Sequence, residues 1–111
     1  MFDLFGMMDK IGKLKEAVED VKTKCDGISV RATSADGRVT VVASANKHIR
    51  EVRIESDALQ KSSAAELEAA VLSAVNDTLR EAHRTYKSEF KQATEGLIPN
   101  IPGLDLSKFM G

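Results

Sequence analysis

From Leu67 to Ala93 the apolar residues Leu67, Val71, Ala74, Val75, Leu79, Ala82, Tyr86, Phe90 and Ala93 fall on one helical stripe. Ser63-Ala64-Ala65-Glu66 has the S-x-x-E form of a capping box and starts that helix, and Gly96 ends it. At 1.5 Å per residue the helix runs about 48 Å. Its length limits every other choice the chain has. Strands of roughly seven residues reach only about 23 Å, so close to half of the helix must project beyond any sheet it covers.

The projecting half carries Ala82, Tyr86, Phe90 and Ala93, and an apolar stripe left in water is a liability. It needs a second helix. Leu4, Met7, Ile11, Leu14, Val18, Val21 and Cys25 follow heptad spacing, the seam of a helix packed on another helix. Gly6 and Gly12 each cost about 1 kcal/mol relative to Ala, so the first turns are loose until something covers Phe2, Phe5 and Met8. Asp26-Gly27 stops this helix, Gly being free to take the left-handed conformation. Packed antiparallel, the two helices bring Val18 near Ala82, Leu14 near Tyr86 and Ile11 near Phe90.

Between the helices the period changes to two. Ile28, Val30 and Ala32 alternate with polar residues, as do Val39, Val41 and Ala43; Val52 and Ile54 face away from Glu51, Arg53 and Glu55. Turn residues at Ser34-Ala35-Asp36-Gly37 and Asn46-Lys47-His48 separate three short strands. The fold class is therefore α+β: a helix, a three-stranded antiparallel meander and a long helix, with a compact base and a two-helix arm. Residues 1–96 form the single domain, and 97–111 an extended C-terminal tail docked through Leu97, Ile98 and Ile101.

Sixteen basic against seventeen acidic side chains give a formal net charge of -1, so attraction to a polyanion must come from where the charges sit. In LREAHRTYKSEFKQ, Arg80, Arg84, Lys87 and Lys91 recur at steps of four, three and four, which keeps them on one helix face. In an arbitrary neutral protein such a row is a solvated face balanced by Glu81 and Glu89. Cys25 alone cannot form an internal disulfide, Asp3 and Asp9 stand where a secretory signal carries cations, and no stretch approaches the roughly 18 apolar residues of a membrane span. A soluble, cytoplasmic chain is expected.

The order of elements, the stretches GRVTVVASANKHIREVRIESDAL and LEAAVLSAVNDTLREAH, and the Pro-Gly-bearing tail resemble the YbaB/EbfC family of bacterial nucleoid-associated proteins. The most specific pieces are Gly37, Val39 and Val41 at the strand opening, Val52, Ile54 and Leu59, and Ala74-Val75-Asn76-Asp77 in the long helix. The resemblance implies a homodimer joined through its sheet-bearing bases, with arms standing out like tweezers, and DNA binding in the nucleoid. It assigns the DNA contacts to the arm helices, here Lys10, Lys13 and Lys15 on one and Arg80, Arg84, Lys87 and Lys91 on the other. A row of about 16 Å covers several phosphates of a duplex that presents one charge per ~1.7 Å. Phosphate contacts position a protein without reading bases, so weak, largely nonspecific binding that salt abolishes is expected. With about eight phosphates neutralised by a dimer, log K falls against log salt with a slope of roughly -7.

Tyr86 and Phe90 could stack on bases, but their place on the apolar stripe assigns them to the core. Cys25, His48 and His83 are scattered singly, with no metal-ligand spacing, and Cys25 ends an apolar seam. Asn76-Asp77, where the long helix leaves the sheet, is a hydrogen-bonded junction or dimer contact rather than a catalytic pair. No Gly-rich phosphate loop, carboxylate pair or triad order is present, so neither an enzyme nor a cofactor, metal or small-molecule site is expected. The competing reading is a protein-interaction module whose arms or sheet edge hold another polypeptide. A cleft lined by Asp77, His83 and Glu81 around a metal would instead mark an enzyme.

Overall fold

The computed structural model describes residues 4–96. The expectations for Phe2 and for the tail at 97–111 lie outside these residues. The elements run α1 Leu4–Asp26, β1 Ser29–Thr33, β2 Val39–Ser44, β3 Ile49–Ile54, α2 Ala58–Lys61 and α3 Ala64–Thr94. The short α2, which seats the buried Ala58 ahead of α3, has too few residues to show a period in the sequence.

The long helix starts where its capping residues are. Ser63 Oγ accepts the Glu66 N–H at 3.1 Å, and Glu66 Oε1 accepts the Ser63 N–H at 3.1 Å. These bonds satisfy two of the four amides that a helix start leaves unpaired. Gly96, at φ 80, provides the left-handed residue past the other end. Gly27 does not do the same for α1, contrary to the sequence expectation, because its φ is not positive. That end is closed by short-range bonds from Gly27 N–H to Lys24 O and from Ile28 N–H to Cys25 O, and by the turn after β2. There the Asn46 amide donates to Lys22 O at 2.8 Å and to Asp26 Oδ1 at 2.6 Å, capping α1 from outside.

The sheet is the expected antiparallel meander in the order β1-β2-β3. Val30 pairs with Ala43 and Ala32 with Val41; on the other side Val39 pairs with Ile54 and Val41 with Val52. Directly paired residues share a face, so one face is apolar across all three strands. A register shift between Val42 and Ala43 leaves an extra residue in β3, which increases the local twist of that edge.

Helix α3 lies over β1 and β2 and leaves β3 uncovered. Val39, Val41, Ala70 and Ala74 form the buried core of the hub, flanked by Leu67, Val71 and Val75. Thr78 fastens the crossing: its hydroxyl, fully buried, reaches Val41 O at 3.2 Å and Ala74 O at 2.7 Å. The expected junction residues Asn76 and Asp77 do not make this bond. Along β3, Ile49, Val52 and Ile54 remain more than 40% exposed although they point to the helix side.

The second core sits at the root of the arm, where Val21 and Cys25 of α1 meet Phe90 of α3 and Ala45 of the β2–β3 turn, with Val18, Tyr86 and Ala93 around them. Lys24 crosses to Glu89 at 2.6 Å. The helices are antiparallel, as expected, but the register is not the one the heptads suggested. Phe90 meets Val21 and Cys25 instead of Ile11, a shift of roughly three helical turns. Heptad spacing is self-similar, so a seam slides by whole turns without losing its apolar match. What selects this register is the anchoring of α1's last turn on the Ala45-Asn46 turn: Ala45 N–H donates to Cys25 O and Ile28 O. As a result α1 runs past the end of α3, leaving Phe5, Met8 and Ile11 exposed. The molecule is a rod of 71 × 27 × 15 Å.

Candidate nucleic-acid interface

Along α3 the buried residues are Ala70, Ala74, Thr78, Ala82, Phe90 and Thr94, spaced by fours or their multiples. Each step of four advances about 40° around an ideal helix, so the buried face turns gradually from the sheet toward α1. Arg80, Arg84, Lys87 and Lys91 fall within an arc of about 60° that neither partner covers, and all four are exposed. They form one ridge about 16 Å long, as the sequence spacing required.

The ridge is partly self-neutralised. Arg80 pairs with Asp77, and Arg84 Nη1 meets Glu81 Oε1 at 2.7 Å. Exposed pairs of this kind contribute about 0 to 1 kcal/mol, so an incoming phosphate exchanges with the carboxylate at little cost. Glu89 is turned away to Lys24, whose ammonium is held protonated above its ordinary range by that hydrogen bond. Lys87 and Lys91 have no ion pair within 4 Å among the described residues.

The other three expected cations are not brought to this ridge. Val18 and Ala93 flank the same core, so Lys15, Lys13 and Lys10 lie about 5 to 12 Å farther out along α1, beyond the last turn of α3. Lys13 pairs with Asp9 at 3.2 Å, and Lys15 shares a shallow recess with Glu16, Glu19 and Asp20. The chain therefore presents two separate cation groups: a continuous ridge on α3 and a more neutralised group toward the tip of α1.

At its hub end the ridge borders a groove of about 550 Å³ lined by Lys47, Asn76, Leu79, Arg80, His83, Arg84 and Lys87. Lys47 and Asn76 were not among the sequence candidates. Lys47 sits in the β2–β3 turn at φ 69, the one non-glycine with positive φ among the described residues. A side chain there costs about 1 to 2 kcal/mol. The sequence shows a polar turn at Asn46-Lys47-His48 but not that it abuts α3.

Residues that could have carried other chemistry are accounted for by packing. Tyr86 and Phe90 stack on each other with centroids 6.4 Å apart, and Phe90 is 2% exposed, which removes it from any base. Cys25 is buried, and that burial pushes its thiol above the ordinary range, away from thiolate reactivity. Asp77 and Glu81 face Arg80 and Arg84, while His83 lines the groove with cations, so these three form no acidic cleft. Among the described residues no group of three His, Cys, Asp or Glu could hold a metal ion, and no helix is long and apolar enough to cross a membrane.

Comparison with known proteins agrees with this architecture. A crystal structure of an uncharacterized protein, HP0035 from Helicobacter pylori, superposes with a TM-score of 0.72 over 88% of this chain and all of that one, at 16% identity, which shows a shared fold. A nucleoid-associated protein of Rhodopseudomonas palustris is 33% identical over 96% of this chain and 100% of its own length. A nucleoid-associated protein of Myxococcus xanthus is 32% identical over 92% of this chain and 95% of its own. Residues 1–97 match the YbaB/EbfC family, one of nucleoid-associated DNA-binding proteins rather than enzymes. By fold, by these relatives and by that match, the chain belongs to the YbaB/EbfC DNA-binding family.

Proposed function

We propose that the protein is a homodimeric, nucleoid-associated protein that holds duplex DNA through phosphate contacts from its arms. The observation that carries this reading is the exposed ridge of Arg80, Arg84, Lys87 and Lys91 on the part of α3 that leaves the hub. Family membership and relatives named as nucleoid-associated proteins support it. At a net charge of -1 the attraction is local and yields readily to salt. Phosphate contacts position a protein without reading bases, so the proposed binding is largely nonspecific. Contacts from such a protein organise the nucleoid and influence transcription by occupancy rather than by sequence choice.

The dimer rests on a different surface. Beside the uncovered β3, a groove of about 570 Å³ is lined by Ile54, Leu59, Leu67, Val71, Leu72 and Val75. Leu59 and Leu72 are 74% and 64% exposed. A twofold axis through this patch covers it with its own copy, which is how self-complementary interfaces form. The same groove could instead take another polypeptide, and that is the second reading.

Titration of a labelled duplex in a gel-shift assay at low and moderate salt tests the DNA reading. Retardation at low salt that disappears in Arg84→Glu with Lys87→Glu is the expected result. No retardation, or retardation indifferent to the double charge reversal, overturns it and favours the protein-interaction module.

A further inference from the structure

The backbone of the β2–β3 turn is held throughout. Ser44, fully buried, accepts the Asn46 and His48 N–H groups on its hydroxyl and the Lys47 N–H on its carbonyl. Ala45 is fully buried against α1, and the Asn46 amide is bonded to Lys22 and Asp26. Lys47 is exposed, as is His48, but it alone carries the unfavourable φ of 69, and its ammonium has no ion pair within 4 Å among the described residues. Glycine or asparagine would meet that backbone requirement at lower cost. Among the described residues the Lys47 side chain makes no hydrogen bond or ion pair that would offset this cost.

The surroundings indicate what it meets. Lys47 enters the groove of Arg80, His83, Arg84 and Lys87 from the hub side, facing α3 across it. Arg80 and Arg84 are matched by carboxylates on their own helix, whereas Lys47 and Lys87 are not, so these two lysines make the groove positive. Asn76 adds a neutral amide donor on the same wall. Two ammonium groups on facing elements, with an amide and guanidinium groups between them, suit a phosphodiester strand passing through.

We propose that Lys47 is a phosphate-contacting residue, so that the bound duplex is seated at the root of the arm, between hub turn and α3, and not at the arm tips near Lys10. This rests on the DNA reading above, and it adds a third element, the β2–β3 turn, to an interface otherwise built from helices. Because the turn is bonded to α1 and β2, the backbone that carries the lysine is preorganised, and DNA binding does not have to order a loop.

Lys47→Gly and Lys47→Asn separate this role from a structural one, since both remove the charge and both suit positive φ. Duplex affinity is measured by fluorescence anisotropy across a salt series, and thermal midpoints are measured alongside. The expected result is a midpoint equal to or above that of the parent protein, with affinity at ~50 mM salt lower by on the order of tenfold. The log–log salt slope becomes shallower by about 0.9 for each protomer engaged. Lys47→Arg retains both affinity and slope. Parental affinity and slope in Lys47→Gly and Lys47→Asn overturn the proposal, and if Arg84→Glu with Lys87→Glu still abolishes binding, the DNA reading survives without it. A midpoint lowered in both variants also overturns it, by showing that the fold itself uses the lysine.

Discussion

Two alanine substitutions on one helix distinguish the two registers in which α1 can lie on α3. Val21 is 2% exposed and packed with Cys25 and Phe90, whereas Ile11 is 59% exposed. Val21→Ala removes two carbons at about 0.8 kcal/mol each. Its neighbours are themselves tightly held, so a cavity contribution adds to this and the loss reaches about 2 to 3 kcal/mol. Ile11→Ala removes more carbon from a place that is already wet, and costs under about 0.5 kcal/mol. The heptad-derived register, with Ile11 beside Phe90, reverses the order and makes Ile11→Ala the expensive change at about 2 to 5 kcal/mol. Urea unfolding followed by far-ultraviolet circular dichroism, at one fixed chain concentration because the proposed dimer would couple to stability, gives both numbers. With a slope of about 1 to 3 kcal/mol per molar urea, Val21→Ala lowers the midpoint by about 0.7 to 3 M and Ile11→Ala shifts it far less. Phe90→Ala, at about 3 to 5 kcal/mol, serves as the reference for a fully buried contact in the same core. Equal losses from Val21→Ala and Ile11→Ala would refute both the shifted register and the overhang of α1 that follows from it.

Leu72→Glu places a charge in the groove beside β3 and should convert the protein in analytical ultracentrifugation from a dimer to a single 12.1 kDa species with its helicity intact; an unchanged dimer would move the subunit contact elsewhere. The capping box gives a pH dependence. The Ser63 N–H bond holds the Glu66 carboxyl below its ordinary range, so its contribution is complete above about pH 5 and lost as pH falls through the lower folded-state value. The stability difference between the parent protein and Glu66→Gln should therefore shrink on acidification from neutral pH, and a difference that is constant or grows would contradict the capping role.

Much of this was legible because it depends on local pattern. Ser63 and Glu66 announce the start of α3 by residue type, and Val39, Val41 and Ala43 mark β2 by strict alternation, so element order and sheet topology follow directly. The ridge from Arg80 to Lys91 also survives, because helical spacing determines a face whatever the partner. What the pattern could not convey is long-range. Nothing in the heptads chooses among registers one or more turns apart; the choice comes from Ala45 and Asn46, some twenty residues away in sequence, bonding to the end of α1. For the same reason Lys47 escaped notice. Its neighbours in the chain describe a turn, and only the packed structure shows which helix that turn faces. The stripe pattern takes no account of Thr78, yet its hydroxyl is what joins α3 to Val41.

Between its capping serine and Gly96, α3 contains neither glycine nor proline, and it belongs to both cores without a break in its backbone bonds. An arm continuous with its foundation behaves as a cantilever with no hinge: kinks in helices need a proline, a glycine pair or an inserted group, and none is available here. Any mismatch in width or curvature between such a fixture and what it grips has to be absorbed by the softer body. For a duplex, that softness varies with sequence. In the proposed phosphate-only binding, stiffness alone then gives a mild preference for easily deformed DNA.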